Sequence, residues 1–144
     1  KWLEIMQAYE GGGHAYHATM PTDPLRRFRD VMKETEAIGF ETLRDAQQQL
    51  GDRIRKVLAD HGIKSVAADG FQAPGVVVSY TDDPDVKTGR KFAETGLQIA
   101  AGVPLQCDEP DDFQTFRVGL FGLDKLQNVD RTVETFEAAL QKVL

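Results

Sequence analysis

The sequence predicts an α+β fold: a small antiparallel or mixed sheet that is covered on one side by helices. Three observations support this prediction. Apolar residues recur at helical spacing over residues 22–62, short β-branched and apolar runs follow from residue 63, and helical spacing returns near the end of the chain. Helices thus precede, separate and follow the strands, an order that is typical of layered α+β domains.

Two helices are predicted at the start of this pattern. Residues 22–24 read Thr-Asp-Pro, in which Asp23 can cap free amide groups and proline suits the first helical turn. The apolar stripe continues until Gly39 interrupts it, and a second stripe begins at Phe40. Gly62 then fits the left-handed position that ends many helices. We therefore expect two helices that are joined by a break of about one residue.

Strands are predicted beyond Gly62, at residues 63–68, 75–80, 97–101 and 116–122. The second run is largely β-branched and apolar, which is typical of a buried strand.

Two further helices complete the predicted layer. Asp83 followed by Pro84 repeats the cap-then-proline signal and predicts a helix that ends at Gly96. Asn128 can cap the last helix, which carries an apolar face. That face consists of Val129, Val133, Phe136, Leu140 and Val143.

The bulk properties limit the classes of function. With 144 residues and 41% hydrophobic content, the chain can form one domain with a sizeable core. A net charge of −6 disfavours a nucleic-acid partner, and no apolar run approaches membrane-spanning length. The single cysteine, Cys107, excludes an internal disulfide and favours a reducing, cytoplasmic location.

A glycine- and histidine-rich stretch precedes the first predicted helix. Residues 11–13 are glycines, but no Lys-Ser/Thr pair of a phosphate-binding loop accompanies them. His14 and His17 are three residues apart, and no third metal ligand is evident nearby, so we expect no metal site. Cys107 lies in an acidic loop that raises the pKa of its thiol, so we do not expect a nucleophile there. These patterns alone favour a flexible connector and an incidental cysteine.

Arg117 is the one charged residue inside an apolar strand. Strand alternation places Phe116, Val118 and Leu120 on one face and Arg117 on the other. The arginine either pairs with an internal acid or lies on an exposed face, or it binds a ligand carboxylate with its planar fork. The pattern alone favours an internal acid or an exposed face over a ligand site, since a lone arginine is a weak signal.

Two stretches together carry a family resemblance. The sequence YHATMP at residues 16–21 and FRVGLFG at residues 116–122, in this order and separation and preceded by Trp2, resemble the C-terminal part of class V, fold-type I aminotransferases. The similarity is greatest to the alanine–glyoxylate and serine–pyruvate group, whose cofactor is pyridoxal phosphate, and it extends over essentially the whole chain.

The resemblance implies roles for three residues. Tyr16 and Thr19 match positions whose hydroxyls reach the cofactor phosphate across a homodimer interface, and Arg117 matches the arginine that binds the substrate α-carboxylate. The implied substrates are an amino acid and a 2-oxo acid. Residues 1–21 would then connect to a large domain and carry the phosphate loop, and residues 22–144 would form the small domain. The resemblance thus favours the ligand explanation of Arg117.

The resemblance also implies what the chain lacks. In the family, the lysine that holds the cofactor covalently and the acid that pairs with its pyridine nitrogen lie upstream, in the large domain. Lys1 is too close to Tyr16 to match that lysine. We therefore expect a piece of a longer enzyme with no catalytic residue of its own, inactive by itself and without bound pyridoxal phosphate.

Two alternatives stay open at this point. The chain could be a free-standing binding or regulatory module for small carboxylates, anchored by Arg117 and without chemistry. It could instead resemble a lyase or desulfurase of the same class, although a desulfurase would need a reactive cysteine, a role that Cys107 in its acidic loop fits poorly.

Overall fold

A computed structural model describes residues 1–15 and 19–144. The chain forms two compact units, residues 1–37 and 38–144. In chain order the elements are α1 (Trp2–Glu10), α2 (Thr22–Ile38), α3 (Phe40–Asp60), β1 (Val76–Tyr80), α4 (Pro84–Lys87), α5 (Arg90–Glu94), β2 (Ala100–Ala101), β3 (Thr115–Gly119), α6 (Leu123–Leu126) and α7 (Val129–Val143).

The first unit consists of α1 and nearly all of α2. The predicted helix start at residues 22–24 is confirmed, but the assignment of Asp23 as the cap is wrong. The helix begins at Thr22, so Asp23 lies within its first turn, two residues beyond the N-cap position. Helix α1 was not predicted from the sequence. No residue of α1 or α2, both described in full, is buried, so their apolar stripes face outward.

Two glycines produce the predicted boundaries of α3. Gly39 has φ of +100°, which separates α2 from α3 by one residue. Gly62 has φ of +75° just beyond the end of α3, as the C-cap pattern predicts. The break of about one residue between the two helices is therefore confirmed.

The second unit contains a three-stranded antiparallel sheet with strand order β1-β3-β2. Val77 pairs with Val118 and Val78 pairs with Arg117, and Ala100 of β2 pairs with Arg117 from the other side. The strand predicted at 63–68 is only an isolated bridge between Ser65 and Ser79, and the strand predicted at 97–101 is only the two residues of β2. Strand β3 is thus the central strand of the sheet and pairs with both of the others.

The helix predicted between Asp83 and Gly96 is divided into α4 and α5. Gly89, with φ of +80°, separates the two turns. The Asp83 carboxylate accepts hydrogen bonds from the amides of Asp85 and Val86 at 2.8 and 3.3 Å, so this predicted cap is confirmed.

Asn128 occupies the N-cap position of α7, but its side chain does not cap the helix. Its amide group instead donates to the Asp124 carbonyl at 3.0 Å, back toward α6. The predicted helix boundary is therefore right, while the predicted capping bond is wrong.

The hydrophobic core lies between the sheet and the helices α3, α5 and α7. Phe92 of α5 packs between Phe116 of β3 and Phe136 of α7, with ring centroids 5.9 and 6.0 Å apart. Leu50 and Ile54 of α3 are fully buried in the same cluster. The sheet is therefore covered on one side by helices, and the predicted α+β class is confirmed.

No helix in the described ranges 1–15 and 19–144 combines the length and the apolar character that crossing a bilayer requires.

We expect Leu50→Ala to lower the free energy of unfolding by about 2–5 kcal/mol. The Leu50 side chain has no solvent exposure, so the substitution leaves a cavity in the core. Leu105→Ala serves as the control, since this leucine is 45% exposed, and should change stability by about 0.5 kcal/mol or less. Urea denaturation followed by circular dichroism measures both variants. Equal losses in the two variants would contradict the assignment of the core.

Candidate functional site

Arg117 lies at the centre of the open face of the sheet. Its neighbours along β3, Phe116 and Val118, are buried on the helical side. Its partners across the sheet are Val78 in β1 and Ala100 in β2. The alternation predicted from the sequence is therefore confirmed, and the arginine side chain lies on the face that the helices of this unit do not cover.

The guanidinium of Arg117 is held by a backbone carbonyl. Its Nε donates to the carbonyl oxygen of Ala101 at 2.9 Å. None of the ion pairs formed within residues 1–15 and 19–144 includes Arg117. Within these residues, Arg117 therefore does not pair with an internal acid, which was one of the explanations that the sequence left open. The positive charge is available on a partly exposed face.

The surroundings of Arg117 within the sheet carry no charge. Val76 and Tyr80 of β1 and Thr115 and Gly119 of β3 share its face. Tyr80 packs edge-to-face against Phe113, with ring centroids 5.7 Å apart. An anion at Arg117 would meet one cation on a face of apolar and hydroxyl-bearing side chains, where a charge-assisted hydrogen bond is strong.

The loop between β2 and β3 is organised by one carboxylate. Glu109 accepts hydrogen bonds from the backbone amides of Leu105, Gln106 and Cys107 at 2.6, 2.8 and 2.8 Å. These bonds, led by the one from Cys107, lower the pKa of Glu109 to about 2. The carboxylate therefore replaces the regular backbone pairing that this loop lacks, and sequence reasoning did not identify it.

Cys107 is exposed and unsuited to nucleophilic attack. Partial desolvation, followed by the hydrogen bond to Glu109 and its negative charge, raises the pKa of the thiol. The prediction that the acidic loop raises this pKa is confirmed, with desolvation as the larger cause. At neutral pH the side chain is thus a protonated thiol.

The residues expected to contact a cofactor lie in the first unit. Tyr16 and His17 fall outside the described residues, so the structure does not test their predicted roles. Thr19 and His14 are exposed. Among the residues that the structure describes, no cluster of three or more His, Cys, Asp or Glu side chains could hold a metal ion. The roles of Tyr16 and Thr19 therefore stay predictions.

Sequence reasoning missed the partner of Arg117. The bond from its Nε is accepted by the main chain of Ala101, and a backbone carbonyl leaves no signature in residue type. Only the strand order, which places β2 beside β3, could have indicated the contact.

No family model matches the chain, and no curated protein matches it in sequence. Similarity is found among solved structures, where the match extends over nearly the whole chain.

Three of these structures illustrate the similarity. Aspartate aminotransferase of subgroup IV from Thermus thermophilus matches 99% of this chain with a TM-score of 0.69 and 19% identity. Alanine–glyoxylate aminotransferase from Nostoc sp. matches 96% with a TM-score of 0.66 and 18% identity. Ureidoglycine–glyoxylate aminotransferase from Bacillus subtilis matches 97% with a TM-score of 0.65 and 19% identity.

The chain spans 39% of the length of the first of these structures and 36% of each of the other two. Its fold is that of the C-terminal domain of class V-type aminotransferases, as the resemblance implied. At this level of identity the similarity establishes the fold, while function depends on the site residues.

We expect the backbone amide signal of Cys107 to titrate with a midpoint at about 2, the pKa of Glu109, rather than near the ordinary glutamate value of about 4.3. A pKa that is lower in the folded state stabilises the loop above about pH 4.3, and this contribution is lost as pH falls toward 2. Nuclear magnetic resonance (NMR) across this range measures it, with Glu109→Gln as the control that should show no such titration. A midpoint near 4 would contradict the three-amide arrangement.

Proposed function

We propose that this chain is the C-terminal domain of a pyridoxal-phosphate-dependent aminotransferase and that its Arg117 binds the carboxylate of the amino acid and 2-oxo acid substrates. The observation that carries the proposal is the guanidinium of Arg117, which lies on the open sheet face without a carboxylate partner among the described residues. A guanidinium on an open face without a carboxylate partner is available to an anion, so a site that binds an anion explains its presence.

The named substrates of the structural neighbours support this chemistry. Aspartate, alanine, glyoxylate and ureidoglycine, from which those enzymes take their names, all carry a carboxylate. A planar guanidinium can bind such a group with two parallel hydrogen bonds, which fixes its orientation as well as its position. In this proposal Arg117 orients the substrate for transfer of its amino group.

The cofactor would be held in part by hydroxyl groups of the first unit. Thr19 is exposed, which suits a hydroxyl that donates to a phosphate, and Tyr16 would provide a second donor. We propose that both serve the cofactor of the other subunit in a homodimer. When bound, pyridoxal phosphate supplies an electron sink, and the residues of this chain bind and orient.

We assign no catalytic residue to this chain. None of its lysines matches the family position that holds the cofactor covalently, so catalysis would need a further domain. A cytoplasmic location is part of the same proposal, because a lone, exposed cysteine suits a reducing compartment.

One alternative function uses the same observation. A free-standing module that binds small carboxylates would also need Arg117 on an open face, and it would need no cofactor. The desulfurase alternative is weaker, since the raised pKa of Cys107 disfavours a reactive thiolate.

In the intact enzyme loaded with pyridoxal phosphate, we expect Arg117→Lys to lower kcat/KM for amino-acid substrates roughly 10- to 100-fold, because lysine cannot form two parallel bonds to a carboxylate. Coupled assays of the 2-oxo acid product measure the change. Arg44→Lys is the matched control, because Arg44 forms only exposed ion pairs on α3. The enzyme with this substitution should retain the activity of the unmodified enzyme. Unchanged kinetics in the Arg117 variant would exclude it as the carboxylate anchor.

We expect the 144-residue chain alone to form no stoichiometric covalent adduct with pyridoxal phosphate, because no lysine matches the family position. Borohydride treatment followed by intact-mass and peptide analysis measures this directly. Scattered substoichiometric labelling of surface lysines agrees with the expectation. A single fully labelled lysine would contradict the assignment of the covalent site to another domain.

A further inference from the structure

Gly102, which directly follows β2, lies unusually close to the central strand. A Cβ atom at this position would lie 1.7 Å from the carbonyl oxygen and 2.5 Å from the carbonyl carbon of Thr115. These distances are far below van der Waals contact, and the atoms concerned are backbone rather than a side chain that could rotate. Only glycine permits this approach.

The close approach fixes the residue that holds Arg117. Ala101, immediately before Gly102, is the residue whose carbonyl accepts from the Nε of Arg117 at 2.9 Å. Thr115, whose carbonyl Gly102 approaches, is two positions before Arg117 on the same strand. The Gly102 amide also donates to the Lys87 carbonyl at 3.0 Å, which ties the end of β2 to α4. Contacts on both sides of Gly102 therefore determine where the Ala101 carbonyl lies.

We propose that Gly102 is a positioning residue for Arg117: its lack of a side chain lets β2 approach β3, so that the Ala101 carbonyl holds Nε and directs the two terminal nitrogens of the guanidinium outward. The part of this inference that concerns a carboxylate rests on the proposed function, whereas the backbone contact does not. Since Nε is occupied, a carboxylate binds end-on to the two terminal nitrogens rather than side-on through Nε.

The consequence for binding is preorganisation. A free arginine side chain loses rotamer freedom when it binds, and this loss weakens affinity. Because Ala101 already restrains the guanidinium, part of that entropy is lost during folding. A side chain at position 102 would displace the carbonyl and release the guanidinium, even though residue 117 itself is unchanged.

NMR on the 144-residue chain tests the contact first. In the unmodified chain we expect a through-hydrogen-bond coupling between Arg117 Nε and the Ala101 carbonyl carbon. We also expect exchange of its Nε proton to be slowed roughly fivefold or more relative to Arg27, an exposed arginine of α2. Absence of both signals would overturn the proposal whatever the function of the chain.

Two variants then separate Gly102 from a general effect of added side chains. Gly102→Ala should return the Nε exchange rate to that of Arg27 while amides of the core stay protected. Gly119→Ala is the control, because Gly119 lies on β3 with Arg117 and a Cβ there would meet Phe121 at an ordinary 3.9 Å. This variant should keep the slow exchange of the Nε proton. Slow exchange in Gly102→Ala would overturn the proposal.

A measurement without substitution covers the case in which Gly102→Ala fails to fold. In subdenaturing urea, the Gly102 amide and the Arg117 Nε proton should lose protection together, since one opening of β2 releases both. Protection of Nε that outlasts that of the Gly102 amide would show that Gly102 does not position the arginine.

Titration with pyruvate, against chloride at equal ionic strength, separates this inference from the proposed function. We expect pyruvate to shift the signals of the terminal nitrogens while the coupling of Nε to Ala101 persists, and Gly102→Ala to weaken binding roughly tenfold. Loss of the Nε coupling on binding would overturn the end-on arrangement. Intact coupling with no pyruvate binding would reject carboxylate recognition by this chain and leave the positioning role of Gly102 standing.

Discussion

A cation on the middle strand of a small sheet is the constraint that organises the open face of the second unit. A guanidinium needs hydrogen-bond acceptors or a counter-charge, and neighbouring strands offer mainly backbone groups that are already paired. Here β2 ends after two residues, and the carbonyl of its last residue, Ala101, accepts from the arginine side chain. The shortness of β2 and the position of Arg117 are thus parts of one arrangement, in which a strand end supplies an acceptor to a side chain.

The core provides the rigidity that such an arrangement requires. Phe116 and Val118, on either side of Arg117 along β3, are buried against the helices, and Phe92 packs between Phe116 and Phe136. Close-packed interiors resist displacement, so the backbone of β3 cannot readily rotate to turn the arginine inward. The apolar residues that make the strand recognisable in the sequence therefore also fix the direction of its one charge.

The parts of this fold that local chemistry determines could be predicted from the sequence, and the parts that tertiary contacts determine could not. The Asp83 cap, the left-handed Gly62 and the alternation around Arg117 each follow from a few adjacent residues. The division at Gly89 and the two-residue length of β2 depend on neighbours that are distant in sequence. Helix α1 carries Trp2, Ile5, Met6 and Tyr9 at helical spacing, a signal that was present and not used.

The same distinction explains why the arginine carries more weight than the fold in the assignment of function. A likeness at 18–19% identity shows that the layers and connections correspond, and one fold supports many activities. If residue 117 were leucine, the fold would persist, because the position lies on the open face and contributes little to the core. The charge at this position is therefore not required by folding. A residue that folding does not require, held by a backbone carbonyl on a face free of other charges within the sheet, therefore supports the proposal that Arg117 binds an anion.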